Sequence, residues 1–279
     1  MPLHSAVKGS FFALLPLLFT SIALADKEED KPLWEIGMVA IALSIPQYMG
    51  GEERYNLPLA APFFVYRGEF FKADRDGIRG VFYKKENLSL DLGFGFDLPV
   101  SNDDGAREDM PRLYLTGQVG PRINWTFDMP VDTPEVSLHL PLRYTLDTHK
   151  NALGWVAEPT LKIIEEGLGS EKRMQLRIDL GVLFTSEEYN DYYYSVGPQY
   201  VTAKRPAYDA GSGLHSYFAK MNAEYQLQDN LKLRAYLIAR FLSPGVIDDS
   251  PLVKDELYLG GGIGFIWSLW QSKELVRNH

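Results

Sequence analysis

From Leu88 to Leu98 the chain alternates apolar residues with small or acidic ones without a fault, Leu-Ser-Leu-Asp-Leu-Gly-Phe-Gly-Phe-Asp-Leu. Only an extended strand with two unlike faces reads that way, because successive side chains point to opposite sides of a strand. The pattern recurs at Val136 to Asp147, Met174 to Phe184, Leu231 to Phe241 and Leu257 to Leu269. Recurrence at this length is the signature of a transmembrane β-barrel, with apolar side chains toward lipid and polar ones toward a lumen. In the first of these strands the Leu and Phe residues then form the lipid face. Ser89, Asp91, Gly93, Gly95 and Asp97 line the lumen.

Extended along the chain, the same reading predicts strands at 34–45, 58–67, 69–74, 77–84, 88–99, 112–127, 135–147, 154–166, 173–185, 214–227, 231–242 and 257–269. The expected fold class is all-β, an antiparallel transmembrane β-barrel of about 12 strands with both chain ends in the periplasm. Loop lengths give an independent check. The periplasmic turns at 68, 85–87, 128–134, 167–172 and 228–230 are mostly short. The outer loops at 46–57, 75–76, 100–111, 148–153, 186–213 and 243–256 are mostly longer, which is the asymmetry such barrels show. The weak point is 69–84, where two strands are shorter than the ~9–11 residues of a crossing. If they merge, parity requires Ser195 to Val201 to become a strand, and about ten strands is the alternative count.

The first 25 residues are read as a secretory signal peptide and not as part of the fold. Lys8 supplies the positive region, Phe11 to Phe19 the apolar one, and Ala23-Leu24-Ala25 the cleavage site, so the mature chain would start at Asp26. Residues 26–279 are then a single outer-membrane barrel domain, with a charged lead-in over 26–33 and a C-terminal tail over 271–279. No other segment approaches the ~20 apolar residues of a membrane helix, so a barrel is the remaining way to satisfy every backbone group in lipid.

Composition narrows the chemistry. The chain has no cysteine, which excludes disulfide frameworks, thiolate metal sites and thiol catalysis together. Its 28 basic and 37 acidic residues give a net charge of -9, and an acidic balance argues against a nucleic-acid partner. Removal of the signal takes away Lys8 alone and leaves that balance acidic. Tyr is the commonest aromatic, at 16, and barrels place such rings in girdles at both membrane interfaces.

Four histidines follow the signal: His139, His149, His215 and His279. His139 shares the polar face of its strand with Ser137 and Arg143, and Ser137 and His139 could approach as nucleophile and base. A triad needs a third orienting group that the sequence does not place, and Ser and His are ordinary lumen filling. His149 lies in a loop, His279 is terminal, and His215 reads as an interface or packing residue. The lumen charges form a more coherent set: Asp91, Asp97, Arg143, Asp147, Glu158, Lys162, Arg177, Asp179, Lys232, Arg234 and Arg240, with the face ambiguous on strand 154–166. They can line a channel or pair across the lumen and close it, and a narrow or plugged barrel is preferred, since wide pores start near ~16 strands. The acidic stretch Asn102 to Asp109 lacks the ligand spacing of a calcium loop and reads as a solvated loop. The glycines from Gly260 to Gly264 lie within the last strand, where they leave room in the lumen and permit coiling. No catalytic, cofactor or metal site is expected.

Four short segments point to a family. Pro46-Gln-Tyr-Met-Gly-Gly-Glu-Glu-Arg-Tyr55 has the form P-x-Y-x-G followed by an acidic stretch. Leu57-Pro-Leu leads to Tyr66-Arg-Gly-Glu-Phe-Phe-Lys-Ala-Asp74 and then Gly77. Arg205-Pro-Ala-Tyr-Asp-Ala-Gly-Ser-Gly213 and Asp249-Ser-Pro-Leu-Val253 follow. In this order, across nearly the whole mature chain, they resemble the MipA/OmpV family of outer-membrane proteins, named for MltA-interacting protein. The resemblance implies an outer-membrane barrel without known enzymatic activity. In the type member it implies a scaffold joining a lytic murein transglycosylase to a bifunctional penicillin-binding protein, and other members are linked to adhesion, osmotic response or antibiotic susceptibility. The motifs mark loops and turns and transfer no functional site. Pro46, Gly50 and Gly51 suit a turn, and Tyr66 and Phe71 an interfacial girdle. The chain departs from the usual aromatic end of such barrels, since Gln271 to His279 follow Trp270, and this tail reads as disordered in the periplasm, with a partner-contact peptide as the alternative.

The expected function is therefore a non-catalytic outer-membrane barrel acting as a scaffold in envelope maintenance, with the lipid bilayer and periplasmic murein enzymes as partners and no cofactor. A small channel or uptake pore is the alternative. A lipid hydrolase using Ser137 and His139, and a soluble periplasmic β-sandwich, rank below it.

Overall fold

The computed structural model describes residues 30–74, 77–103, 105–130, 133–149 and 151–277. The expected signal peptide and His279 lie outside the described residues. The strands are β1 Asp30–Pro32, β2 Trp34–Pro46, β3 Arg54–Arg67, β4 Phe71–Asp74, β5 Gly77–Lys85, β6 Leu88–Asp97, β7 Thr116–Thr126 and β8 Glu135–Asp147. They continue as β9 Ala152–Ala157, β10 Thr160–Leu168, β11 Met174–Thr185, β12 Gly213–Gln228, β13 Leu231–Phe241, β14 Leu257–Gln271 and β15 Leu275–Arg277. One helix, α1 Glu187–Tyr194, lies between β11 and β12.

Each wall strand pairs antiparallel with its sequence neighbours, and β14 pairs with β2 to close the ring. β9 and β10 are one wall strand. Ala157 pairs with Leu142 of β8 and Thr160 with His139, so the register continues across Glu158-Pro159. Twelve wall strands result, as a single sheet closed on itself and not as a sandwich of two sheets. The short β4 and β5 stay separate, and Val196 to Val201 holds an isolated bridge and a short 3-10 turn in place of a strand.

The faces follow the period of two. Leu88, Leu90 and Phe94 are exposed, and Asp91 between them is buried in the lumen. Exposed aromatics gather at two levels. Tyr144, Trp155, Phe184, Tyr217 and Phe241 ring the outer strand ends, while Trp125, Phe127, Tyr225, Trp267 and Trp270 ring the opposite ones. Their polar edges suit the interfaces and their bodies suit lipid.

The ambiguous strand 154–166 presents Val156, Thr160, Lys162 and Ile164 inward. The glycines of β14 do more than leave room. A Cβ on Gly264 would lie 2.3 Å from the Ala40 oxygen of β2, and one on Gly262 2.8 Å from that of Ala42, so they permit close approach of the neighbouring backbone.

The tail expected to be disordered is instead paired. Asp30 lies opposite Arg277 and Pro32 opposite Leu275, so β1 and β15 form a ribbon that joins the first and last described segments of the chain. Arg67 at the foot of β3 anchors it, with Nη1 donating to the Pro32 oxygen at 2.7 Å and Nη2 to Glu35 at 2.6 Å. Local sequence carries no sign of this pairing, because its partners stand at opposite ends of the chain.

Candidate functional site

At the end of the barrel away from the chain termini, the long loops fold into a plug with its own core. Tyr48 comes from the β2–β3 loop, and Val100 and Leu113 from the β6–β7 loop. Tyr189, Tyr193 and Tyr194 come from α1, and Leu242 and Ile247 from the β13–β14 loop; all are buried. Leu242, Ile247 and Leu252 are 0% exposed, which in loop residues means packing as tight as a protein interior.

The helix begins where its sequence directs. The Ser186 hydroxyl accepts from the Tyr189 N–H, and Glu187 and Glu188 occupy the first turn, where the helix dipole favours negative charge. Ser-Glu-Glu ahead of the tyrosines is the signal that could have revealed this helix in a region read only as loop.

The plug is also bonded internally. Tyr48 donates to the Leu252 oxygen at 2.7 Å, Ser250 to the Tyr194 oxygen at 2.7 Å, and Tyr194 to the Met49 oxygen at 3.0 Å. Buried Arg107 donates to the Tyr193 oxygen at 2.6 Å, and Arg205 to the oxygens of Ala106 and Glu108 at 3.0 and 2.8 Å. Burial lowers the pKa of Arg107 and pushes the hydroxyls of Tyr189, Tyr193 and Tyr194 well above their ordinary value, so these tyrosines remain neutral donors. The Asn102 to Asp109 stretch, expected to be solvated, is therefore only partly so, since Arg107 inserts into the plug. Among the described residues no group of acids and histidines is arranged to hold a metal ion.

Below the plug, none of the eleven charges expected in the lumen is exposed. They pair within one strand or between nearby strands. Asp91 meets Arg122 at 2.8 Å, and Arg177 meets Asp179 at 2.8 Å. Glu158 reaches past β11 to Lys220 of β12 at 2.9 Å and Arg240 of β13 at 2.8 Å, with both cations over the Phe218 ring. Asp97 accepts from Thr116 and Gln118 at 3.0 Å, and Gln118 in turn accepts from Arg143. The Tyr193 hydroxyl stands 3.4 Å from the same Asp97 oxygen and links plug to wall.

The structure brings Ser137 and His139 together, with Oγ 3.1 Å from Nε2. Both face the lumen, with Lys162 opposite Ser137 and Thr160 opposite His139 on β10, away from the lipid that a lipid-modifying site must reach. His149 packs its ring on Tyr114, and His215 is fully buried with Nε2 3.1 Å from the Tyr194 hydroxyl, a packing position in the plug.

Cavities lie at both ends of the barrel. At the periplasmic end, one of about 1110 Å³ lies between the 68–70 turn, the foot of β5 and the terminal ribbon. Arg67, Lys72, Glu69 and Glu274 line it beside Tyr66, Phe70 and Phe82. At the outer end, one of about 200 Å³ lies under α1 and is lined by Ile45, Tyr48, Tyr55, Phe96, Leu98, Tyr189, Tyr193 and Tyr258 among others.

The family described as "MltA-interacting protein MipA" matches residues 37–269. The "Putative outer membrane protein YiaT" of Escherichia coli K12 is 27% identical over 208 residues, covering 70% of this chain and 75% of that protein. Among solved structures, OmpT of Vibrio cholerae aligns at a TM-score of 0.36 and 8% identity, covering 86% of this chain and 80% of that one. The CymD monoaromatic hydrocarbon channel aligns at 0.36 and 11%, covering 94% and 93%. At such TM-scores these likenesses carry nothing about function.

Proposed function

Because the chain belongs to the MipA family of outer-membrane proteins, we propose that it is a non-catalytic scaffold of the cell envelope that receives murein-synthesising or murein-hydrolysing enzymes at its periplasmic end. The observation that carries the proposal is the contrast between the two ends of the barrel. The outer mouth is filled by loop residues with no exposure, a poor arrangement for a diffusion pore. The periplasmic end offers a ribbon made from the first and last described segments and a cavity of mixed charge and aromatic lining, features that suit a protein partner. The family name, which describes a protein that interacts with MltA, supports the class of partner.

Crosslinking in intact cells followed by mass spectrometry tests this reading, together with planar-bilayer recording of the purified protein. The expected result is recovery of a murein transglycosylase or synthase and a silent bilayer. Discrete, reproducible conductance with no murein enzyme recovered overturns it in favour of a channel.

A further inference from the structure

The barrel wall has a seam. Among the described residues, β3 runs from Arg54 to Arg67 and pairs along its whole length with β2, but on its other side it meets β4 only at Tyr66 and Arg67. β4 is four residues long, and β5 pairs with β6 no further up than Gly93. Above the β4–β5 hairpin, therefore, the upper part of β3 faces the upper end of β6 with no strand between them. The gap is spanned at its top by the Tyr55 hydroxyl, which donates to the Pro99 oxygen.

An unpaired strand edge at membrane depth is costly, since lipid offers no hydrogen bonds. The chain mitigates this in its choice of residues. The Arg67 N–H donates to Leu33, on the β2 side, so by alternation the even-numbered residues of β3 turn their backbone groups toward the gap. Pro58 and Pro62 are even-numbered, and their missing N–H groups fall on the open edge, where proline belongs. Beside that edge, Ala40, Ala42, Pro58 and Ala60 present only small side chains to the lipid and leave a shallow apolar groove.

The outer cavity lies at the same seam. It joins residues whose side chains face the lumen, Tyr55 of β3 and Tyr258 of β14, to Phe96, whose position points outward from β6, and to Leu98 just beyond the end of that strand. Its wall passes from β3 to β6 directly, at the height that β4 and β5 do not reach. Tyrosine and apolar side chains dominate its lining, and Asp97, which also lines it, already accepts from Thr116 and Gln118. Its volume of about 200 Å³ compares with the ~150 Å³ engineered cavity that holds a benzene ring, and falls short of the ~300 Å³ at which drug-sized sites begin. We propose that this cavity is a binding site for a neutral, single-ring molecule that enters sideways from the membrane through the seam between β3 and β6. The site is independent of the scaffold role, since it lies at the opposite end of the barrel.

The test uses the purified full-length protein in phospholipid vesicles with p-cresol as the probe, followed by calorimetry. One saturable site is expected, weakened at least tenfold by Leu98→Trp and changed less than twofold by Leu237→Trp on the lipid face of β13, which does not line the cavity. No saturable binding, or equal binding by Leu98→Trp, overturns the proposal. A second measurement needs no variant: amide hydrogen exchange along β3 of the wild type. Asn56, Ala60 and Phe64 should exchange at least tenfold faster than Leu57, Ala61 and Phe63. Uniform protection along β3 shows that the seam is closed and overturns lateral entry.

Discussion

Replacing Tyr194 by Ala should open the plug while leaving the barrel standing. The side chain is 1% exposed, its ring centroid lies 5.3 Å from that of His215 and 6.3 Å from that of Tyr48, and its hydroxyl donates to the Met49 oxygen. Truncating a buried aromatic to Ala costs about 4 kcal/mol in lost burial and cavity. With tenfold for every ~1.4 kcal/mol, the population of opened plug rises roughly a thousandfold. The wall strands lose the contact of Tyr194 with His215 of β12 but keep their hydrogen-bond ladders, which do not pass through α1. Proteinase K digestion of vesicle-embedded protein reads the change as cleavage within 186–212, at a rate proportional to the open population when reclosing is fast. Tyr194→Phe keeps the ring and loses the hydroxyl contacts, a cost of about 1–2 kcal/mol, so its cleavage should rise only about tenfold. Cleavage of Tyr194→Ala at the wild-type rate refutes the reasoning, since the loop would then be held by something other than this core.

Other outcomes follow from single contacts. Glu158→Gln leaves Lys220 and Arg240 facing each other beside Phe218 and should cost about 3 kcal/mol, seen as a lower urea midpoint of the vesicle-embedded protein. Gly120→Ala puts a Cβ 2.0 Å from the Leu142 oxygen and 2.7 Å from the Arg143 Cα, and should destabilise the β7–β8 seam by about 2 kcal/mol in the same assay. Truncation after Gln271 removes β15, whose Leu275 is half exposed, and should shift stability by less than about 1 kcal/mol. The same truncation should sharply reduce recovery of a murein enzyme by crosslinking, and unchanged recovery would remove the ribbon from the proposed docking surface.

The sequence by itself determined the strands, their faces and the asymmetry of the loops. Period-two alternation is a local property, and a strand between lipid and lumen must display it residue by residue. Asp91 and Phe94 could be assigned to opposite faces without any knowledge of their neighbours. The position of Ser137 beside His139 was legible for the same reason, since residues two apart on a strand share a face. Helix α1 was legible in principle through Ser186 and the two glutamates after it, and the open edge of β3 through Pro58 and Pro62. Only the tertiary structure decided the rest. Tyr48, Tyr194 and Leu242 form one core although about 200 positions separate the first from the last. Glu158 finds Lys220 and Arg240, and Asp30 finds Arg277, through closure of the ring. Such contacts depend on how twelve strands curve and tilt together, and no window of neighbouring residues carries that information.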